Sequence, residues 1–321
     1  MARMAYSAFA DIRISRIVPP TLLRTPQAGL NSRVAALLPS VDDDQGMTTR
    51  VACCQIPLRI GDLTGNRTTA RDAIEAAAAD GAQIVVLPEL ASSGYMFADR
   101  AELASLAEPR DGPTITEWAN LASAFGVTIV AGFPEDAGDK IYNAAAVVDP
   151  TGLRGVYRKA HLWDSENTVF DRADDMPLLV DTEHGRIGVM VCYDVEFPEW
   201  VRVAALAGAD LLCAPVNWPL LPRPEGERPT EMVRVLAGAG MNRLPIAVCD
   251  RAGVERGQDW IGGSIITDAD GYPAAIGQFG MPCTVTADVD FALSRIKKFN
   301  EHNDVHGDRR IDLYRRAGLF D

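Results

Sequence analysis

Gly185-Arg-Ile-Gly-Val-Met-Val-Cys192-Tyr-Asp-Val-Glu-Phe-Pro-Glu199 joins a strand to a helix through a sharp turn that carries a cysteine. The run Ile187 to Val191 is short, apolar and β-branched, the pattern of a buried strand. Phe197-Pro198-Glu199 opens a helix with proline in its first turn. Cys192 therefore sits on a strand-to-helix elbow, where its thiol is presented for attack. Backbone N–H groups at such a turn lack partners, so an oxyanion formed beside the sulfur would meet donors already in position.

A thiol nucleophile also needs a base and a counter-charge. Two further strand ends offer them: Ile84-Val85-Val86-Leu87-Pro88-Glu89-Leu90, and the stretch 153–163 that contains Tyr157-Arg158-Lys159-Ala160-His161. A carboxylate that ends an apolar run has no structural reason to be buried, and a lysine beside it would ordinarily reach for solvent. Together they make chemical sense. The glutamate can shuttle a proton while the ammonium keeps it ionised and stabilises developing negative charge. Read singly, Glu89 could cap a helix, Lys159 could be a surface charge and Cys192 could be inert filler.

In the order Glu89, Lys159, Cys192 the chain resembles the nitrilase superfamily of carbon–nitrogen hydrolases. The resemblance spreads from about Met47 to Phe291. Gln55-Ile56-Pro57 with Gly61-Asp62 and Asn66 is similar to the family's opening, and Arg251-Ala252-Gly253-Val254-Glu255 followed by Gly262 to Asp268 and Gly271 is similar to its late hairpin. The resemblance implies an α/β fold, a four-layer α-β-β-α sandwich. It implies a cysteine nucleophile at Cys192, Glu89 as acid and base in turn, and an oxyanion held by Lys159 and the backbone N–H of Tyr193. It also implies no metal or organic cofactor and at least a homodimer, paired through the helical layers. Glu166, seven positions past Lys159, resembles the family's second glutamate. The following Phe170-Asp171-Arg172-Ala173-Asp174 departs from the usual Phe-x-Pro-Gly pattern.

The residues after the nucleophile narrow the chemistry. Cys192-Tyr193-Asp194 looks like the amidase and carbamoylase branches rather than the Cys-Trp-Glu of nitrilases proper. Branches that take carboxylate-bearing N-carbamoyl amino acids tend to place an arginine shortly after, for bidentate grip; here stand Val195, Glu196 and Phe197. If Glu196 faces the pocket it repels a substrate carboxylate, which leaves a neutral or cationic small carboxamide. It could instead form an ion pair, for instance with Arg202. Tyr95, Trp163, Asn217 and Trp218 are candidate pocket walls, each equally readable as packing. Three readings remain: an amidase of linear amides, an N-carbamoyl amidohydrolase or nitrilase, and a non-catalytic ligand- or partner-binding member of the same fold.

Other chemistries lack their residues. There is no Gly-x-Ser-x-Gly elbow, phosphate loop or Cys-x-x-Cys pair. His302 and His306 stand four apart without the glutamate of a zinc helix. A net charge of −13 over 321 residues disfavours nucleic acid and anionic membrane as partners, and no apolar run reaches the ~18 residues of a membrane span. The six cysteines lie mostly in predicted strands, with adjacent Cys53 and Cys54 sent to opposite faces, which points to a reducing, cytoplasmic compartment rather than a disulfide scaffold.

Residues 1–46 carry five arginines, no lysine and scattered prolines, and read as a disordered or over-extended N-terminal extension, with an organelle transit peptide as the alternative. The hydrolase domain is expected over 47–291 and a tail over 292–321, whose Arg309 to Arg316 either reaches a neighbouring copy or forms a solvated helix. Within the domain the pattern predicts a helix over 67–80 capped by Asn66, one from Pro113 to Gly126, a hairpin 141–159 that delivers Lys159, helices over 196–207 and 230–242, and a second hairpin over 261–278.

Overall fold

The computed structural model describes residues 48–319; the expectations for residues 1–46 lie outside them. The first half of the chain runs β1 (Thr49–Gln55), α1 (Leu63–Ala79), β2 (Ile84–Val86), α2 (Arg100–Leu106), α3 (Pro113–Phe125), β3 (Thr128–Asp136), β4 (Ile141–Asp149), β5 (Gly152–Arg158) and α4 (Glu166–Val169). The second runs β6 (Leu178–Thr182), β7 (Gly185–Val189), a 3₁₀ turn over Cys192–Glu196, α5 (Pro198–Leu206), β8 (Leu211–Pro215), α6 (Thr230–Asn242) and β9 (Ile246–Cys249). A small β10–β11 hairpin (Val254–Glu255, Gln258–Asp259) follows, then β12 (Ile265–Thr267), β13 (Pro273–Ile276), β14 (Cys283–Val289), α7 (Phe291–Arg295) and α8 (Ile311–Arg316).

The strands form two six-stranded sheets, ordered β14-β1-β2-β3-β4-β5 and β13-β12-β9-β8-β7-β6. Each has three parallel strands at its centre, β1-β2-β3 and β7-β8-β9, with antiparallel neighbours outside. The pleat explains the layering. Val51, Cys53, Ile84, Val86 and Val130 share one core with Ile187, Val189, Cys213 and Val248 of the other sheet. Cys54, one residue on from Cys53, turns outward with Ala52, Val85 and Ile129 to meet Ile74, Trp118 and Ala122 of α1 and α3. Val201, Ala204, Val235 and Ala239 of α5 and α6 join the core on the second sheet. Helices therefore lie outside both sheets, the α-β-β-α sandwich.

Local chemistry sets the boundaries, and it corrects two expectations. Helix α1 starts four residues earlier than predicted: Asp62 is its cap, accepting from Gly65 N at 2.9 Å. Asn66 is a buried residue inside that helix, where its side chain donates to the Arg59 and Ser92 carbonyls and accepts from Arg59 N. The predicted helix over 196–207 begins only at Pro198, because the elbow before it is a separate 3₁₀ turn. Helix α3 matches its prediction, with Gly126 in the left-handed region at φ +67°, as a C-terminal glycine should be. The tail packs partly on the chain: Arg295 pairs with Asp210 at 2.8 Å, while α8 has no buried residue.

Within each sheet the strands that lead to the site run in one direction, β2 with β5 and β7 with β8. The chain leaves the carboxyl ends of β2, β5, β7 and β8 at Glu89, Lys159, Cys192 and Asn217, the rim on which parallel sheets carry their sites.

Candidate active site

Lys159 is the hub. Fully buried, its Nζ donates to Glu89 Oε1 at 2.8 Å and to Glu166 Oε1 at 2.7 Å. Three ionisable groups in a dry interior are tolerated only because they hydrogen-bond one another. Burial alone would lower the ammonium's pKa, but the two carboxylates outweigh it and hold Lys159 well above its ordinary value. Burial raises Glu89 to about 7, although Lys159 and Asn143 pull the other way. Asn143 Nδ2 donates to the same Glu89 Oε1 at 2.7 Å. Glu89 Oε2, by contrast, is buried with no hydrogen-bond partner among the described residues. That oxygen is free to receive a proton.

Cys192 stands on the other sheet at the elbow, with φ +48°. A non-glycine residue in the left-handed region costs of order 1–3 kcal/mol and persists only where surrounding structure imposes it. Leu90, immediately after Glu89, has φ +51°, so both chemistry-bearing turns hold strained backbone. Cys192 Sγ lies 3.9 Å from Asn217 O, and Asn217 Nδ2 donates to Glu89 O at 2.9 Å, tying the nucleophile's turn to the glutamate's. Burial first, then the nearby Glu89 charge, raises the thiol's pKa well above normal. The resting sulfur is therefore a thiol that needs a base, not a stored thiolate. No hydrogen bond engages the Tyr193 N–H among the described residues.

One buried carboxylate locks the elbow to the lysine strand. Asp194 Oδ2 accepts from Tyr157 Oη at 2.8 Å and Val191 N at 3.1 Å, and its Oδ1 accepts from His161 N at 3.0 Å and sits 2.7 Å from His161 Nδ1. Tyr157 and His161 flank Lys159 in sequence, so Asp194 fixes the distance between the two charged ends. A close approach fixes the third. A Cβ on Gly132 of β3 would come within 2.4 Å of Leu90 N and 2.5 Å of Glu89 Cα, so only glycine lets the glutamate's turn cross there.

A cavity of about 130 Å³ opens over the sulfur, lined by Cys192, Tyr193, Trp163, Asn217, Trp218, Pro219 and the charged group Glu196, Glu231 and Arg234. Of the residues expected there, Trp163, Glu196, Asn217 and Trp218 are present and Tyr95 is not. Tyr95 lies behind Glu166 instead: its hydroxyl donates to Glu166 Oε1 at 2.5 Å and its ring meets Trp260 edge-on. Its backbone N–H and that of Met96 donate to Glu255, which pairs with buried Arg251 at 3.0 Å. Glu196 pairs with Arg234, not with Arg202; Arg202 donates to the Met241 and Val305 carbonyls. Sequence reasoning missed Asn143, Asp194 and Gly132. Only Asn143 carried a signal, an amide inside the apolar run of β4.

A family model described as carbon-nitrogen hydrolase matches residues 50–298. The chain is 36% identical to a nitrilase from Pyrococcus abyssi over 270 residues, 83% of this chain and 99% of that protein. It is 34% identical to an N-carbamoylputrescine amidase from Solanum lycopersicum over 271 residues, 79% of this chain and 90% of the relative. Among solved structures, an amidase from Nesterenkonia sp. superposes with a TM-score of 0.70 at 24% identity, covering 85% of this chain and 97% of that one. A structure of a mutant of the amidase from Nesterenkonia sp. AN1 shows covalent addition of the acetamide moiety of fluoroacetamide at the active-site cysteine. The chain belongs to the carbon-nitrogen hydrolase family, the nitrilase superfamily, and is a hydrolase of carbon–nitrogen bonds other than peptide bonds. Among the described residues no helix is long and apolar enough to cross a membrane.

Proposed function

We propose that the protein is an amidase that hydrolyses a small neutral or cationic carboxamide to the carboxylic acid and ammonia through a thioester on Cys192. The observation that carries this reading is the buried Lys159, bonded to both Glu89 and Glu166 beside the Cys192 elbow. Glu89 takes the thiol proton as sulfur attacks the amide carbon. The resulting oxyanion is held by Lys159 and the Tyr193 N–H, donors of a kind worth about 3 kcal/mol each in the transition state. Glu89 returns its proton to the departing nitrogen, ammonia leaves, and the thioester remains. A water that Glu89 deprotonates then attacks the thioester, and the acid is released with the thiol restored. Glu166 shares Lys159 with Glu89 and so holds the ammonium in place.

The walls of the cavity support a small substrate: two tryptophans and a proline leave room for an amide with a short chain. Six unpaired thiols fit a reducing, cytoplasmic setting. Pairing of two copies through the α5–α6 layer belongs to the same reading, supported by the exposed Leu206 and Met241 on that face. The test is ammonia release from a panel of propionamide, an N-carbamoyl amino acid and a nitrile, with Cys192→Ala as control. Turnover of propionamide, abolished in the variant, is the expected result; turnover of the nitrile or the carbamoyl compound alone would overturn the amidase assignment.

A further inference from the structure

The wall of the cavity carries more charge than its size requires. Glu196, Glu231 and Arg234 line it together with Cys192 and two tryptophans. Two carboxylates face one guanidinium. Arg234 is already engaged by Glu196, whose side chain is only 11% exposed against 48% for Arg234. Glu231 sits one turn before Arg234 at the start of α6, and no ammonium or guanidinium pairs with it among the described residues. Its one hydrogen bond there is a long 3.4 Å contact from Thr230 Oγ1. The two carboxylates also feel each other. Burial and the Glu231 charge raise the Glu196 carboxyl, while Arg234 lowers it.

We infer that this charged part of the cavity wall is a cation subsite, so that the preferred substrate is a short amide bearing an ammonium or guanidinium at the end remote from the carbonyl. The inference rests on the amidase reading and narrows it. A substrate ammonium placed between Glu231 and Glu196 completes a two-by-two arrangement of charges in a partly dry site. An uncharged tail would strip water from Glu231 and give nothing back. A carboxylate tail would fare worse: gripping Arg234 means displacing Glu196 and leaving that half-buried carboxylate unpaired. Preference thus comes as much from the penalty on the wrong tails as from attraction to the right one.

Three amides of matched length separate the possibilities: γ-aminobutyramide, valeramide and glutaramate, which end in ammonium, methyl and carboxylate. The wild-type enzyme is expected to favour γ-aminobutyramide over valeramide in kcat/KM by about tenfold or more at low salt, the size of one partly screened charge pair. The ratio should shrink as ionic strength rises. Glu231→Gln is expected to lower that ratio by about tenfold, since it removes the unpaired carboxylate and little volume. Glu196→Gln releases Arg234 and is expected to raise glutaramate relative to valeramide. If valeramide and γ-aminobutyramide are hydrolysed equally well, or if Glu231→Gln leaves their ratio unchanged, the cation subsite is wrong while the amidase reading stands. If none of the three is hydrolysed, the amidase reading fails and takes the subsite with it.

Discussion

Replacing Lys159 by methionine removes the charge on which the site is assembled and keeps most of the volume. In the native protein the Nζ lies 2.8 Å from one buried carboxylate and 2.7 Å from another, with all three side chains at 0–2% exposure. Without it, Glu89 and Glu166 face each other as like charges, a repulsion of about 4 kcal/mol at an effective dielectric near 20, so one of them takes up a proton. Breaking a buried pair typically costs about 3–5 kcal/mol. That is a large part of an ordinary domain's stability but not all of it, so Lys159→Met should fold with a clearly lowered urea midpoint. The effect on catalysis should be larger. Loss of one oxyanion donor alone is worth about 10²–10³ in kcat. The pH dependence gives an independent check. Glu89 must be ionised to act as base, and burial sets it at about 7 against the lowering pull of Lys159. Activity of the native enzyme should therefore fall as pH drops through about 7. With the pull removed, the acid limb should move to higher pH. Urea unfolding followed by tryptophan fluorescence, with kcat/KM for propionamide between pH 5 and 9, measures both. A variant within about 1 kcal/mol of native stability, with an unmoved acid limb and most of its activity, would refute the reasoning.

Two further substitutions probe what positions the site. Asp194→Asn puts an NH₂ group where one of two oxygens accepts, against donors at Tyr157 and Val191 on one side and His161 on the other. It should lower stability by about 1–3 kcal/mol and kcat more than KM, read from denaturation and steady-state kinetics; an unchanged kcat would remove Asp194 from the account. Gly132→Ala forces a methyl into the backbone at Leu90 and Glu89. Overpacking of that kind costs about 1–3 kcal/mol, and activity should fall further than stability alone explains, whereas a fully active variant would show that the glutamate's turn can move freely.

Much of the fold was legible because its rules are local. An apolar run ending in charge marked the strand that delivers Glu89, and Pro113 with Gly126 bracketed α3. The hairpin over 141–159 that carries Lys159 was read from strand pattern, and the strand before Cys192 from its short β-branched run. What was not legible depends on distant chain. Arg234 meets Glu196 across 38 positions and a change of helix, so sequence pointed to the nearer Arg202 as an example partner instead. Tyr95 stands close to a strand end, as a pocket wall should, yet Glu255, 160 positions on, holds its backbone and turns the ring behind Glu166. Asp62 displaced Asn66 as a cap because Asn66 had other carbonyls to satisfy in the buried turn.

The central claim is that the amide's acyl group passes through the sulfur of Cys192. Mass spectrometry of enzyme quenched in acid during turnover of propionamide measures this directly. The thioester route predicts a propionyl adduct on the peptide that contains Cys192, strongly reduced in Glu89→Gln, which lacks the base for thiol attack, and absent from Cys192→Ala. Steady turnover with no adduct on that peptide, or with the adduct on another residue, would contradict it.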